Sequence, residues 1–283
     1  MKKYRILIVG CGDVGSALGE RLATDHLVYG LRRSIQYIPD AITALEADFC
    51  NIQTLNNLPN VDILVYCAAP NRSRNDSYKA TYIDGLKNIV KCLPNKPEHI
   101  FFTSSTSVYG QDQQQWVNEQ AVTVPLSDNG KIMLEAEQQV QALSCNSTIV
   151  RFSGIYGPKR LSLFNQVISG TTYSSLPLQY SNRIHLLDCA AVLCHLINKL
   201  ARAEDIAALY LASDMCPTPI SEVMQWIASS VNRKTTTIPL TRRSGSKRCD
   251  NQLLMSSGYT FIHPDYKSGY WPIVSRFLAS GRV

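Results

Sequence analysis

The chain has 283 residues, 45% of them apolar, and a formal net charge of +6. That length and composition suit one large α/β domain, or a domain with a small appendage, with a sizeable core. No apolar run is long enough to span a bilayer, and no basic stripe interleaved with aromatics accompanies the charge, which argues against membrane and nucleic-acid partners.

In chain order, residues 4–9 form a short apolar run that predicts a buried parallel strand. Lys2 and Lys3 precede too few apolar residues for a secretion signal. A glycine turn follows, then a helix over 14–22. Strands are predicted at 26–31 and 42–47, a short helix at 51–58, and a strand at 61–67. A long helix runs from about 76 to 92, ended by Pro94, and a strand covers 99–104. The pattern continues with a helix at 128–143, a strand at 148–152, an apolar helix at 186–200 and a strand at 208–212. Strands alternating with helices predict a doubly wound parallel sheet of the Rossmann type. Residues 1–152 and 186–212 form this domain. Residues 153–185 and 213–283, which hold most of the prolines, are expected to form a small substrate lobe over the C-terminal ends of the strands. The basic stretch 241–248 reads as a solvated loop or as a clamp for an anion. The nine cysteines are scattered, with no C-x-x-C and no Cys/His metal spacing. They read as reduced thiols of a cytoplasmic protein without a metal site.

The turn after the first strand is Gly10-Cys11-Gly12-Asp13-Val14-Gly15, a G-x-G-x-x-G between strand and helix. Gly10 allows the tight turn, Gly12 lets backbone approach a pyrophosphate, and Gly15 lets helix pack on strand. Asp13 and Val14 open the helix whose free amides and dipole would face the phosphates. Cys11 is either the one thiol near a ligand or simply a small residue that fits the turn. No acidic residue lies between Leu27 and Ile38, whereas Arg32 and Arg33 do. A guanidinium binds a 2′-phosphate that a carboxylate would repel, so NADP is favoured over NAD. Asp48 is placed to meet an adenine amino group or to cap the next helix.

Several further blocks occur in order. Tyr66-Cys67-Ala68-Ala69 ends the fourth strand, and Phe102 to Gly110 reads FTSSTSVYG. Arg151 to Pro158 reads RFSGIYGP, and Arg183 to Asp188 reads RIHLLD. Over nearly its whole length the chain resembles the NAD-dependent epimerase/dehydratase family, the extended short-chain dehydrogenase/reductases. Its G-x-G spacing points to an atypical branch. The resemblance places Cys67, Ala68 and Ala69 beside the cofactor. It implies hydride transfer with a Ser/Thr, Tyr and Lys triad and a homodimer through helices 76–92 and 128–143. By position Ser105 takes the Ser/Thr place, Lys131 the Lys place, and Glu135 the Glu that follows it. The Tyr place holds Ser127, a far weaker acid than a phenol. Tyr109, Tyr156, Asp128 and His185 are the alternative proton carriers by residue type. Otherwise the reaction needs no strong acid or base, or the chain binds coenzyme without turnover. The expected activity is an NADP(H)-dependent oxidoreductase or epimerase/dehydratase for a small sugar-like or carbonyl metabolite, with a nucleotide sugar as one form. The alternative is a non-catalytic coenzyme-binding or redox-sensing protein. Lys159, Arg160, Arg183, Lys247 and Arg248 are the cations that could meet an anionic substrate, or lie solvated on the surface.

Overall fold

The computed structural model describes residues 1–70, 77–240 and 246–281. The expected helix start at Asp76 and residues 241–245 of the basic stretch lie outside the described residues.

Seven strands build the central sheet: β1 (Arg5–Val9), β2 (Leu27–Arg32), β3 (Thr43–Glu46), β4 (Ile63–Tyr66), β5 (His99–Ser105), β6 (Asn146–Phe152) and β7 (Leu209–Ala212). Their order across the sheet is β7-β6-β5-β4-β1-β2-β3, every neighbouring pair parallel. The chain winds outward from β1 to β3, returns to β4, and winds the other way. The crevice between the C-terminal ends of β1 and β4 is the position where such sheets bind ligands.

Alternation along the strands sorts side chains to the two faces. Ile6, Ile8, Ile63, Val65, Phe101 and Val150 pack on one side. There they meet Val14, Leu18 and Leu22 of α1 (Asp13–Leu22). Leu7, Val9, Leu64, Tyr66, Ile100 and Phe102 pack on the other. They meet Leu86 and Ile89 of α2 (Gly85–Cys92) and Met133, Ala136 and Val140 of α3 (Asp128–Gln141). Each fully buried aliphatic side chain stabilises the fold by roughly 1.5–3 kcal/mol, which is why both faces must be covered. Just before α2 the helix passes through a π-helical stretch, Ala80–Asp84. The short helix expected at 51–58 is a single 3-10 turn, Ile52–Thr54.

After β6 the chain makes α4 (Ser162–Ile168) and returns to the first face as α5 (Leu186–Ala201). Past β7 come α6 (Ile220–Ser230), α7 (Gln252–Ser256) and α8 (Tyr266–Ala279). Phe164, Val167, Val223, Met224, Ile227, Tyr266, Tyr270 and Val274 form a separate core beneath α4, α6 and α8. Residues 246–262, expected in the small lobe, pack instead on the main domain. Arg248 and Cys249 pair with Trp116 and Val117, while Leu254, Tyr259 and Phe261 bury themselves in the core shared by α1 and α5.

Candidate functional site

The three glycines of the first turn have three different surroundings. Gly10 has φ +85°, and a Cβ there would lie 2.4 Å from the Ala68 Cα. At Gly15 a Cβ would lie 2.7 Å from the Gly10 carbonyl oxygen and 3.1 Å from Cys67 Sγ. Neither position admits a side chain. A Cβ at Gly12 would meet nothing closer than 3.9 Å, so this position faces open space. These are the turn, packing and ligand-approach environments that a dinucleotide cradle requires. Among the described residues no side chain caps α1, so its first-turn amides and positive dipole end face the crevice. The residues present therefore fit a dinucleotide pyrophosphate.

Cys67 and Ala68 line the turn from the β4 side, and Ala69, the next residue, is exposed. Cys67 donates its thiol to the Gly10 carbonyl at 3.4 Å, and burial pushes that thiol far up. Cys11 is fully buried and its sulfur points inward, where a Cβ on Gly30 would approach it to 2.9 Å. It supports the turn from beneath. Arg32 donates Nη1 to the Cys11 carbonyl at 3.1 Å and lies over the Tyr37 ring at 5.1 Å. Arg33 Nη1 stands 3.8 Å from Asp48 Oδ2. Arg32 thus flanks the glycine turn from the end of β2, and Arg33 faces Asp48 beyond β3. Asp48 accepts the Cys50 amide at 2.9 Å in a local turn, and Asn51 caps the 3-10 helix that follows.

Across the crevice, Ser105 ends β5 and is half-buried. Its oxygen accepts the Ser107 amide at 3.1 Å, which leaves its hydroxyl hydrogen to donate. Ser127 is the N-cap of α3, its oxygen taking the Gly130 amide at 3.1 Å. Lys131 reaches Asp128 at 2.9 Å on the same helix, with 65% of its side chain exposed. Glu135 is exposed and accepts from Gln139 at 3.2 Å. The buried carboxylate of α3 is Glu137, two residues on, which the sequence reading missed. It takes Arg151 Nε at 2.9 Å and Nη2 at 2.6 Å, together with the Ser104 hydroxyl. The available signal was a charge on the apolar stripe of a helix and another inside a buried strand.

The alternative proton carriers all have structural partners. Tyr109 donates to the Asn118 carbonyl at 2.8 Å and accepts Arg151 Nη1 at 2.8 Å, and burial pushes its phenol up to about 12. Tyr156 is buried, stacks on Tyr270 at 4.6 Å, and has its phenol pushed higher still by burial. His185 caps α5 by accepting the Leu187 amide at 3.2 Å. Burial, with His263 beside it, lowers it to about 4. Asp128 is exposed and paired with Lys131. His185, Asp188 and His263 gather their ligand-type atoms within 4.8 Å. The Asp188 carboxylate, however, already accepts the Tyr259 hydroxyl and the amides of Ile262 and His263.

Of the five candidate anion-binding cations, three are committed elsewhere. Lys247 donates to the Tyr109 carbonyl at 2.9 Å and is buried. Arg248 bonds the Gln114 carbonyl at 2.9 Å and lies over Trp116. Arg183 is buried and bonds Ser181. Lys159 and Arg160 reach the mouth of the glycine cradle, each 3.7 Å from Asp13.

Comparison with known proteins agrees with this geometry. The family profile described as RmlD substrate binding domain matches residues 4–238. A Methylobacillus flagellatus protein assigned to the NAD-dependent epimerase/dehydratases is 38% identical, with 99% of each chain covered and a TM-score of 0.82. The chain belongs to the NAD-dependent epimerase/dehydratase family. Protein YeeZ of Escherichia coli K12 is 33% identical over 173 residues, 56% of this chain and 61% of YeeZ, so the match spans about three-fifths of that relative's length. The human epimerase family protein SDR39U1, solved with NADPH, shares the family's fold at 15% identity, covering 96% of this chain and 99% of that one, with a TM-score of 0.76. Among the described residues no helix is long and apolar enough to cross a membrane. All nine cysteines are free.

Proposed function

We propose that this protein binds NADP(H) across the β1/β4 crevice and acts as an oxidoreductase or epimerase/dehydratase on a small sugar-like or carbonyl metabolite. A nucleotide sugar fits this class. The observation that carries the reading is the glycine cradle: two glycines closed by collisions and, between them, one open position beside uncapped helix amides. Arg32 and Arg33 at the adenosine end support the phosphorylated coenzyme. The NADPH carried by SDR39U1 supports a nicotinamide coenzyme in the same fold. Free thiols support a reducing compartment such as the cytoplasm.

When bound, the nicotinamide supplies hydride exchange at its C4. The chain's own residues would position the substrate and the coenzyme. Ser105 donates its free hydroxyl hydrogen to the substrate oxygen. Lys131 would hold the nicotinamide ribose, and giving up Asp128 for it would cost little because exposed ion pairs contribute only about 0–1 kcal/mol.

A second reading, coenzyme binding without turnover, is favoured by one observation. The serine at the expected tyrosine position spends its hydroxyl oxygen on capping α3. Titrating purified protein with NADPH, and then following reduced-nicotinamide absorbance with a panel of aldehydes, ketones and nucleotide sugars, separates the two. Turnover lost in both Ser105→Ala and Lys131→Ala establishes the enzyme. Tight NADPH binding with no turnover across the panel supports the binder.

A further inference from the structure

We infer that Arg160, assisted by Lys159, is a clamp for the diphosphate of the coenzyme, standing beside Asp13 at the start of α1. The inference rests on the dinucleotide reading of the cradle and adds a second wall to it. Gly157 to Arg160 forms a tight turn with the Arg160 amide on the Gly157 carbonyl at 2.9 Å. Pro158 occupies its second position, where a fixed φ favours the turn. Gly157 has φ +142°, and a Cβ there would lie 3.1 Å from His185 Nε2, so the turn is seated against the cap of α5. A pre-formed turn from beyond β6 thereby holds two cations over the start of α1.

Both meet the same group. Lys159 Nζ and Arg160 Nε each stand 3.7 Å from Asp13, which is one of the residues whose amides open α1. These separations exceed the roughly 2.7–2.9 Å of a charge-assisted hydrogen bond, so the pairing is loose and exchangeable. Asp13 alone would repel a diphosphate at this end of the helix. With the clamp present, the diphosphate takes the guanidinium and Asp13 is left to solvent. Because the contact is to the group that NADPH and NADH share, it strengthens both alike.

Calorimetric titration of the full chain with NADPH and with NADH tests this. Arg160→Gln is expected to weaken both coenzymes by about tenfold, Arg160→Lys by less, and Lys159→Ala by about twofold. Asp13→Asn is expected to tighten both. Arg160→Gln within twofold of wild type for both coenzymes would overturn the clamp, as would a loss confined to NADPH or weaker binding in Asp13→Asn. Wild-type protein that binds neither coenzyme would instead defeat the dinucleotide reading itself. Unchanged melting temperatures show that the variants fold.

Discussion

Single residues divide the site between groups that only shape it and groups free to meet a ligand. Gly10 and Gly15 shape it, and Gly12 opens it. Arg32 and Arg33 follow one another at the end of β2, Arg32 on the Cys11 carbonyl and Arg33 beside Asp48. Replacing both by Ala should weaken NADPH by on the order of tenfold or more and NADH by less than about threefold, measured by titration. Equal losses would remove the 2′-phosphate assignment. Glu137 and Arg151 belong to the shaping set. Their side chains are only 2% and 7% exposed, and Arg151 also holds Tyr109. Glu137→Gln leaves a buried guanidinium without its counter-charge and should cost about 3–5 kcal/mol in urea denaturation. Glu137→Leu with Arg151→Met should recover most of that loss. Failure to recover would mean that the pair does more than fill the space between α3 and β6.

At the scale of elements, the inner sheet strands were legible because burial on both faces leaves short apolar runs, and the helices flanking them because each carries an apolar stripe; the edge strand β3 is largely exposed. The glycine turn was legible for the same reason: its chemistry lies within six consecutive residues. What escaped depends on contacts between distant parts of the chain. Glu137 meets Arg151 only after α3 packs on β6, and neither periodicity nor spacing announces an ion pair in a core. The commitment of Ser127 to α3 turns on where the helix begins, and element boundaries are the weakest part of any such reading. The attachment of residues 246–262 to the main domain rests on Leu254, Tyr259 and Phe261 finding a core built by α1 and α5. Helices α2 and α3 also leave a groove of about 320 Å³ lined by Leu86, Lys87, Val90, Lys91, Gln139 and Leu143. We propose that a second copy of the chain covers it, as the family resemblance implies. Val90→Asp should then shift the protein from dimer to monomer in sedimentation. A wild-type monomer at micromolar concentration would contradict the proposal.

For the molecule as a whole, buried titratable groups make stability depend on pH in two opposing ways. Burial lifts the Asp214 carboxyl to about 7, only partly offset by Arg183, and its Oδ2 has no hydrogen-bond partner among the described residues. Between about 4 and 7 the folded chain holds this proton and the unfolded chain does not, so the contribution of Asp214 falls as pH rises through that window. His99 and His185 act in the other direction. Burial lowers both to about 4, so the unfolded chain alone takes up protons below about 6.5, and stability is lost as pH falls towards 4. Asp214→Asn should therefore stabilise the protein at pH 8 by on the order of 2–4 kcal/mol, with the gain vanishing near pH 4. Denaturation curves at the two pH values check this, and an equal gain at both would contradict it. The glycine turn and the Gly157 turn meet at Asp13, where Lys159 and Arg160 reach the start of α1. A crystal structure of the protein with NADPH tests the coenzyme reading most directly. The account predicts the diphosphate against Gly12 and the first-turn amides of α1, with the adenosine phosphate beside Arg32 and Arg33. Coenzyme bound elsewhere, or absent from the crevice at saturating concentration, would contradict it.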